Sequence, residues 1–409
     1  MKALITILSL SLIQFSLSYK ICKANLIKEI PLTTYKEAKQ NNTFINYINS
    51  NIYNLNDIDG NNIYESSDSH DSLIIYGQES AGYLGMSVSN AGDVNRDGYS
   101  DVIVGAPGWG GMIGKSRIFF GGPYMDNIAD VILSGDAGEI FGYPGSSAGD
   151  VNGDGFDDVV IGASGNIVDR VYIYYGGFNM DNIPDKIFEV NDVNINFGRS
   201  VSSAGDVNGD GYSDVIVGGT GKYNSGVVGR SYIYFGGLDM DNLADIIMTG
   251  EMQDKYFGNS VSTAGDVNMD GYSDVIVGDF EYNGVGRAYI YYGGYNMNNT
   301  ADVIMTGELQ DSYFGGSIST AGDINNDGYS DVIVGSVGYN NLTGRAYVFY
   351  GGVNMNNVPD IILTGDSINY EFGSSVSKAG DINGDGFSDI IVSAPNSNNT
   401  GRVYVFMEV

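Results

Sequence analysis

Residues Asp93-Val-Asn-Arg-Asp-Gly-Tyr-Ser-Asp101 decide how this chain reads. The pattern D-[VI]-N-x-D-G-[YF]-[SD]-D returns at Asp150, Asp206, Asp266, Asp323 and Asp381, with starts 57, 56, 60, 57 and 58 residues apart. A fixed period of this size marks a repeat architecture, in which each unit buries its faces on its neighbours. The nine residues are also a ligand set for a hard cation. Asp93, Asn95 and Asp97 place oxygens at alternate positions, Gly98 permits the sharp turn, Tyr99 offers its backbone carbonyl and Asp101 closes the shell. Ca²⁺ takes about six to eight oxygens of these kinds.

The other copies keep the whole set. They comprise Asp150, Asn152, Asp154, Phe156 and Asp158, then Asp206, Asn208, Asp210, Tyr212 and Asp214. Next come Asp266, Asn268, Asp270, Tyr272 and Asp274, followed by Asp323, Asn325, Asp327, Tyr329 and Asp331. The last is Asp381, Asn383, Asp385, Phe387 and Asp389. The loop shares its first positions with the EF-hand, but its closing acid stands ninth, and Val104 stands where the EF-hand carries glutamate. Strand-like SVSNAG and DVIVGAP flank the first loop, so it joins a hairpin rather than two helices. Plain Asx turns are the alternative, but three carboxylates in nine residues repel one another without a cation. Up to six structural Ca²⁺ are expected.

Each repeat reads as four short strands. In one copy these are Asp245–Gly250, the SVSTAG run before the loop, DVIVG after it, and GRAYIYYGG from Gly286 to Gly294. Each is rich in Val, Ile, Tyr and Phe and is bounded by Gly, Asn or Asp. Sixty glycines in 409 residues suit an all-β chain with many tight turns. Phe-Gly precedes the loop at Phe141, Phe197, Phe257, Phe314 and Phe372, and the first repeat departs with Leu84-Gly85. Gly-Ala-Pro follows the loop at Gly105-Ala106-Pro107. It drifts to Gly162-Ala163-Ser164, Gly218-Gly219-Thr220, Gly278-Asp279-Phe280 and Ser393-Ala394-Pro395.

These markers resemble FG-GAP repeats, the units of the integrin α-subunit β-propeller and of many secreted proteins. The resemblance covers Asp71 to Val409 and implies an all-β propeller of four-stranded blades. Ser72–Tyr76 reads as an isolated fourth-type strand, and Arg402–Phe406 ends the chain on a third-type strand. Those two ends complete one blade between them, a Velcro closure that leaves no open edge. Six blades follow. Seven, as in integrins, is the alternative, and the seventh would come from residues 25–70, where Asp57-Ile-Asp59-Gly60 is at best half a loop.

Residues 1–24 read as a secretory signal: Lys2, then an apolar run from Ala3 to Leu17, then small residues at the cleavage region. Residues 25–70 are Asn-rich and read as a partly ordered extension, with a cap or degenerate blade as alternatives. Cys22 is the only cysteine, so no intramolecular disulfide forms and calcium is the available staple. The product is expected outside the cell, in the periplasm or on the surface if bacterial, without membrane insertion. A net charge of −31 repels nucleic acid and anionic lipid. Asn41, Asn298, Asn341 and Asn398 begin N-x-T sequons.

Antiparallel strands send their connections to two faces. The calcium loops share one face with the GG-x-x-M-[DN]-N turns, and the opposite face carries connections that differ between repeats. Variable loops on a regular scaffold are where recognition concentrates, and the integrin resemblance implies ligand binding there. Trp109, Tyr223, Tyr282 and Tyr339 lie in these loops and are the candidate ligand residues, against local packing as the alternative. The recurrent Gly-Arg at Arg230, Arg287, Arg345 and Arg402 reads as a partner for blade acids. His70 is the only histidine and lies outside the repeats, which leaves them no histidine-based triad or zinc site. The expectation is a non-catalytic adhesion or protein-interaction module, with a lectin-like propeller as alternative and a carboxylate-based glycoside hydrolase further behind. Neither the ligand nor the oligomeric state is written in the sequence.

Overall fold

In each repeat a Val/Ile-rich second strand, buried nearly throughout, pairs antiparallel with its neighbours, so the repeat forms one sheet. The computed structural model describes residues 73–77, 82–108, 113–136, 139–165, 169–222, 225–251 and 256–407. The expected signal segment and residues 25–70, including His70 and the Asp57 stretch read as half a loop, lie outside the described residues, as do Trp109 and Tyr223. The first blade shows the plan: β1 (Ser87–Gly92), β2 (Asp101–Ala106), β3 (Lys115–Phe119) and β4 (Val131–Ser134), hydrogen-bonded in that order. Val104 on β2 lies opposite Val88 on β1 and Arg117 on β3. Blades two to six span 141–189, 195–249, 260–306, 314–364 and 376–406. The protein is a six-bladed β-propeller with almost no helix, as its period implies.

The core lies between blades. Ile290 and Ala288 of blade four, both fully buried, pack against Phe314, Val332 and Tyr347 of blade five. Burying a Val or Ile side chain contributes about 1.5–3 kcal/mol, so most of a blade's stability resides in its neighbours.

The Phe-Gly and Gly-Ala-Pro markers meet at these joints. Each Phe of Phe-Gly is at most 2% exposed and meets an aromatic of its own third strand edge-on, as Phe314 does Tyr347 at 5.4 Å. The adjoining glycine has positive φ, 84° at Gly315, and its carbonyl lies where a Cβ on Gly278 of the preceding blade would stand. The same glycine-on-glycine approach joins Gly105 to Gly142, Gly162 to Gly198, Gly218 to Gly258 and Gly335 to Gly373.

The last joint differs. The sixth sheet has three strands, and 73–77 carries no strand. The closure expected between the N-terminal run and Arg402–Phe406 is therefore not formed among the described residues. Val403 and Val405 remain 61% and 44% exposed.

Candidate functional site

Each loop first satisfies itself. In the first, Asp93 accepts the Asp97 and Gly98 N–H groups at 3.0 and 2.9 Å, and Asn95 Oδ1 accepts the Asp97 N–H at 2.8 Å. The Asp97 carboxylate accepts the Tyr99 N–H at 3.0 Å and the Asn95 amide at 3.1 Å. Gly98 turns the chain at φ 89°, a conformation that a side chain would strain.

The ninth aspartate does something the motif alone did not reveal. Asp101 is 1% exposed. Its Oδ2 accepts the Val94 N–H at 2.9 Å and its Oδ1 the Gly121 N–H, beyond the third strand, at 2.7 Å. Asp158, Asp214, Asp274 and Asp331 repeat this tie, to Gly176, Gly236, Gly293 and Gly351 respectively. Asp389 bonds the Ile382 N–H but leaves Oδ1 buried without a partner among the described residues.

Burial raises these carboxyls, two backbone hydrogen bonds oppose the rise, and the first and fifth aspartates of each loop reinforce it. Asp158, Asp214 and Asp274 are pushed up to about 7, and Asp101 and Asp331 to about 6. A bound cation would relieve both the desolvation and the repulsion.

The donor set therefore suits calcium in type and spacing. In this conformation the oxygens are turned to backbone amides, and no three acids among the described residues converge on one point.

Loops of successive blades are stitched together. The Asp93 carbonyl accepts the Asp157 N–H of the next loop at 3.2 Å, and Asp150, Asp206, Asp266 and Asp323 accept Ser213, Ser273, Ser330 and Ser388. The corresponding bond from Ser100 back to the Asp381 carbonyl is not made.

On the opposite face the recurrent arginines are occupied. Arg287 binds Glu251 at 2.8 Å and lies 3.6 Å over the Tyr282 ring, whose hydroxyl donates to Glu251. Arg345 binds Glu308 and lies 3.7 Å over Tyr339. Arg230 binds Asp192, and Arg402 binds Asp366. The acid always comes from the connection entering the blade, so these pairs pin that connection to the third strand. Arg170 does the same with Asp136 and Glu139, a pair outside the sequence reading. Tyr282 and Tyr339 are half-buried in this packing rather than projecting.

The FG-GAP repeat family model matches residues 84–119, 142–174, 197–234 and 372–406, and the FG-GAP-like repeat model matches 266–334. Integrin alpha-5 of Xenopus laevis is 32% identical over 233 residues, 52% of this chain and 21% of that protein. Integrin alpha-PS2 of Drosophila melanogaster is 34% identical over 226 residues, 48% of this chain and 15% of that protein. The chain thus matches about a fifth or less of these relatives' length. Among solved structures, a mutant of AofleA from Arthrobotrys oligospora covers 81% of this chain and 86% of its own at 12% identity, with a TM-score of 0.45. So loose a likeness bears on neither ligand nor activity.

Proposed function

We propose, from the premise that this chain belongs to the FG-GAP repeat proteins, that it is an exported, non-catalytic adhesion or protein-interaction module, stapled by calcium and binding its ligand on the variable-loop face. One contrast carries this reading. Six near-identical oxygen-rich loops hold one face, while the connections on the other face share only the arginine clamp. A face under one repeated demand is scaffold, and a face free to vary is available for recognition. Calcium, when bound, would neutralise the carboxylates of each loop. The loops' amide bonds and inter-blade stitches hold those carboxylates in register. The integrin α relatives favour a protein ligand.

Two measurements test the reading. Calorimetric calcium titration should give about six ions and a higher melting temperature than in chelator. Binding of the calcium-loaded protein to immobilised partners should fall in a variable-loop variant such as Tyr313→Ala with melting unchanged. No calcium uptake removes the staple, and binding indifferent to loop variants removes the face.

A further inference from the structure

Two repeats in which Gly-Ala-Pro keeps only its first glycine, Gly218-Gly219-Thr220 and Gly278-Asp279-Phe280, build a cleft together. It is about 390 Å³, lies on the variable-loop face where blades three and four meet, and is lined by Asn196, Arg199, Thr220, Tyr256, Asn259 and Phe280. Phe280 forms one wall, held by Tyr256 at 4.5 Å and by Tyr313 at 5.9 Å.

Arg199 is the unusual member. The arginines that open the third strands of blades two to six all hold a carboxylate. Arg199 has none within ion-pair distance among the described residues, and its guanidinium lies 5.3 Å from the Tyr143 ring. A half-buried guanidinium in a chain of net charge −31 keeps its fork of donors for an anion brought from outside. Beside it, Asn196 spends its Nδ2 on Thr220 Oγ1 at 3.1 Å, which leaves Oδ1 as an acceptor. The Asn259 side chain makes no hydrogen bond among the described residues. An aromatic wall, one guanidinium and two amides match a ring that is apolar on its face, hydroxylated on its rim and carboxylated at one carbon. The cleft is polar and open and has no deep apolar pocket to anchor a peptide side chain.

We propose that this cleft binds an acidic saccharide: the sugar carboxylate on Arg199, the ring face against Phe280, and hydroxyls on Asn196 and Asn259. The proposal rests on the variable-loop face being the ligand face. The test is an NMR titration of the calcium-loaded protein with methyl β-glucuronide, methyl β-glucoside, acetate and an aspartate-containing tripeptide. The glucuronide should bind roughly tenfold more tightly than the other three, in line with a charge-assisted hydrogen-bonded pair. Arg199→Gln should erase that preference with unchanged melting, since Arg199 makes no ion pair among the described residues and lies against the Tyr143 ring, and Phe280→Ala should weaken glucuronide and glucoside alike. The proposal is overturned if none of the four binds, if Arg199→Gln keeps the preference, or if acetate or the tripeptide equals the glucuronide. If partner binding survives Arg199→Gln but falls with Tyr313→Ala, the ligand face stands and only the sugar assignment is lost.

Discussion

Blades five and six carry the same pattern in different surroundings. Ala346 and Val348 on the third strand of blade five are fully buried beneath blade six, whereas Val403 and Val405, at the matching positions of blade six, are 61% and 44% exposed. Ile324 in the fifth loop is 4% exposed and Ile382 in the sixth is 57%. Asp331 uses both carboxylate oxygens, and Asp389 uses one. The strand pattern specifies a blade, but the following blade decides how much of it is buried. Stability in such an array is a sum of unit and neighbour terms, and among the described residues the sixth unit, like the first, is covered by a blade on one side.

The largest expected effect tests what the two blades share. If every loop holds calcium, removal costs about 2–3 kcal/mol per site at hundredfold saturation. Calorimetric melting should fall by many degrees in chelator, and an unchanged melt means the loops are plain turns. The next separates the blades. Val348→Ala should cost about 2 kcal/mol through lost burial and a cavity, and Val405→Ala less than about 0.5 kcal/mol, read by chemical denaturation. Equal costs would show that blade six is covered in solution.

A finer contrast uses chelator to remove the metal from consideration. Asp331→Asn should cost about 1.5 kcal/mol by facing an amide donor to a backbone N–H, while Asp389→Asn, with one oxygen already idle, should cost clearly less. Smallest is the clamp pair. Arg170→Ala leaves the buried Glu139 with the Tyr172 hydroxyl and the Asp136 N–H but no cation, and should cost about 1 kcal/mol, a figure kept low because the Arg170 side chain is 25% exposed. Arg402→Ala, whose partner Asp366 is 57% exposed, should leave melting unchanged.

Much of this was readable beforehand. The six loops, the strand runs and the count of blades follow from period and composition. The arginine clamp follows from Gly-Arg recurring in a chain full of acids. The second duty of the ninth aspartate was hidden, because Gly121 lies twenty residues away and only the fold brings its N–H to Asp101. Tyr282 and Tyr339 looked available because a sequence does not show the guanidinium lying over each ring. Leu84 and Ser393 were visible as departures, yet their meaning is spatial. Nothing lies within 4 Å of where a Cβ on Gly85 would stand, and Ser393 keeps a side chain where preceding blades need glycine, bonding the Ser375 N–H. The motif relaxes at the two ends of the array, where no further blade among the described residues enforces it. Arg199 carried no signal, since its lack of a carboxylate is a property of its surroundings.

The loop-to-loop stitch has a mechanical side. Each loop hangs from the next by a backbone bond, and five such bonds run in one direction from Asp93 to Ser388. Tension applied at the C-terminus would meet an end unit first, peel blade six from blade five, and then face the same joint again. The molecule would yield in equal steps, with a rip for each blade, and the sites nearest the N-terminal end of the array would be the last to lose their shape.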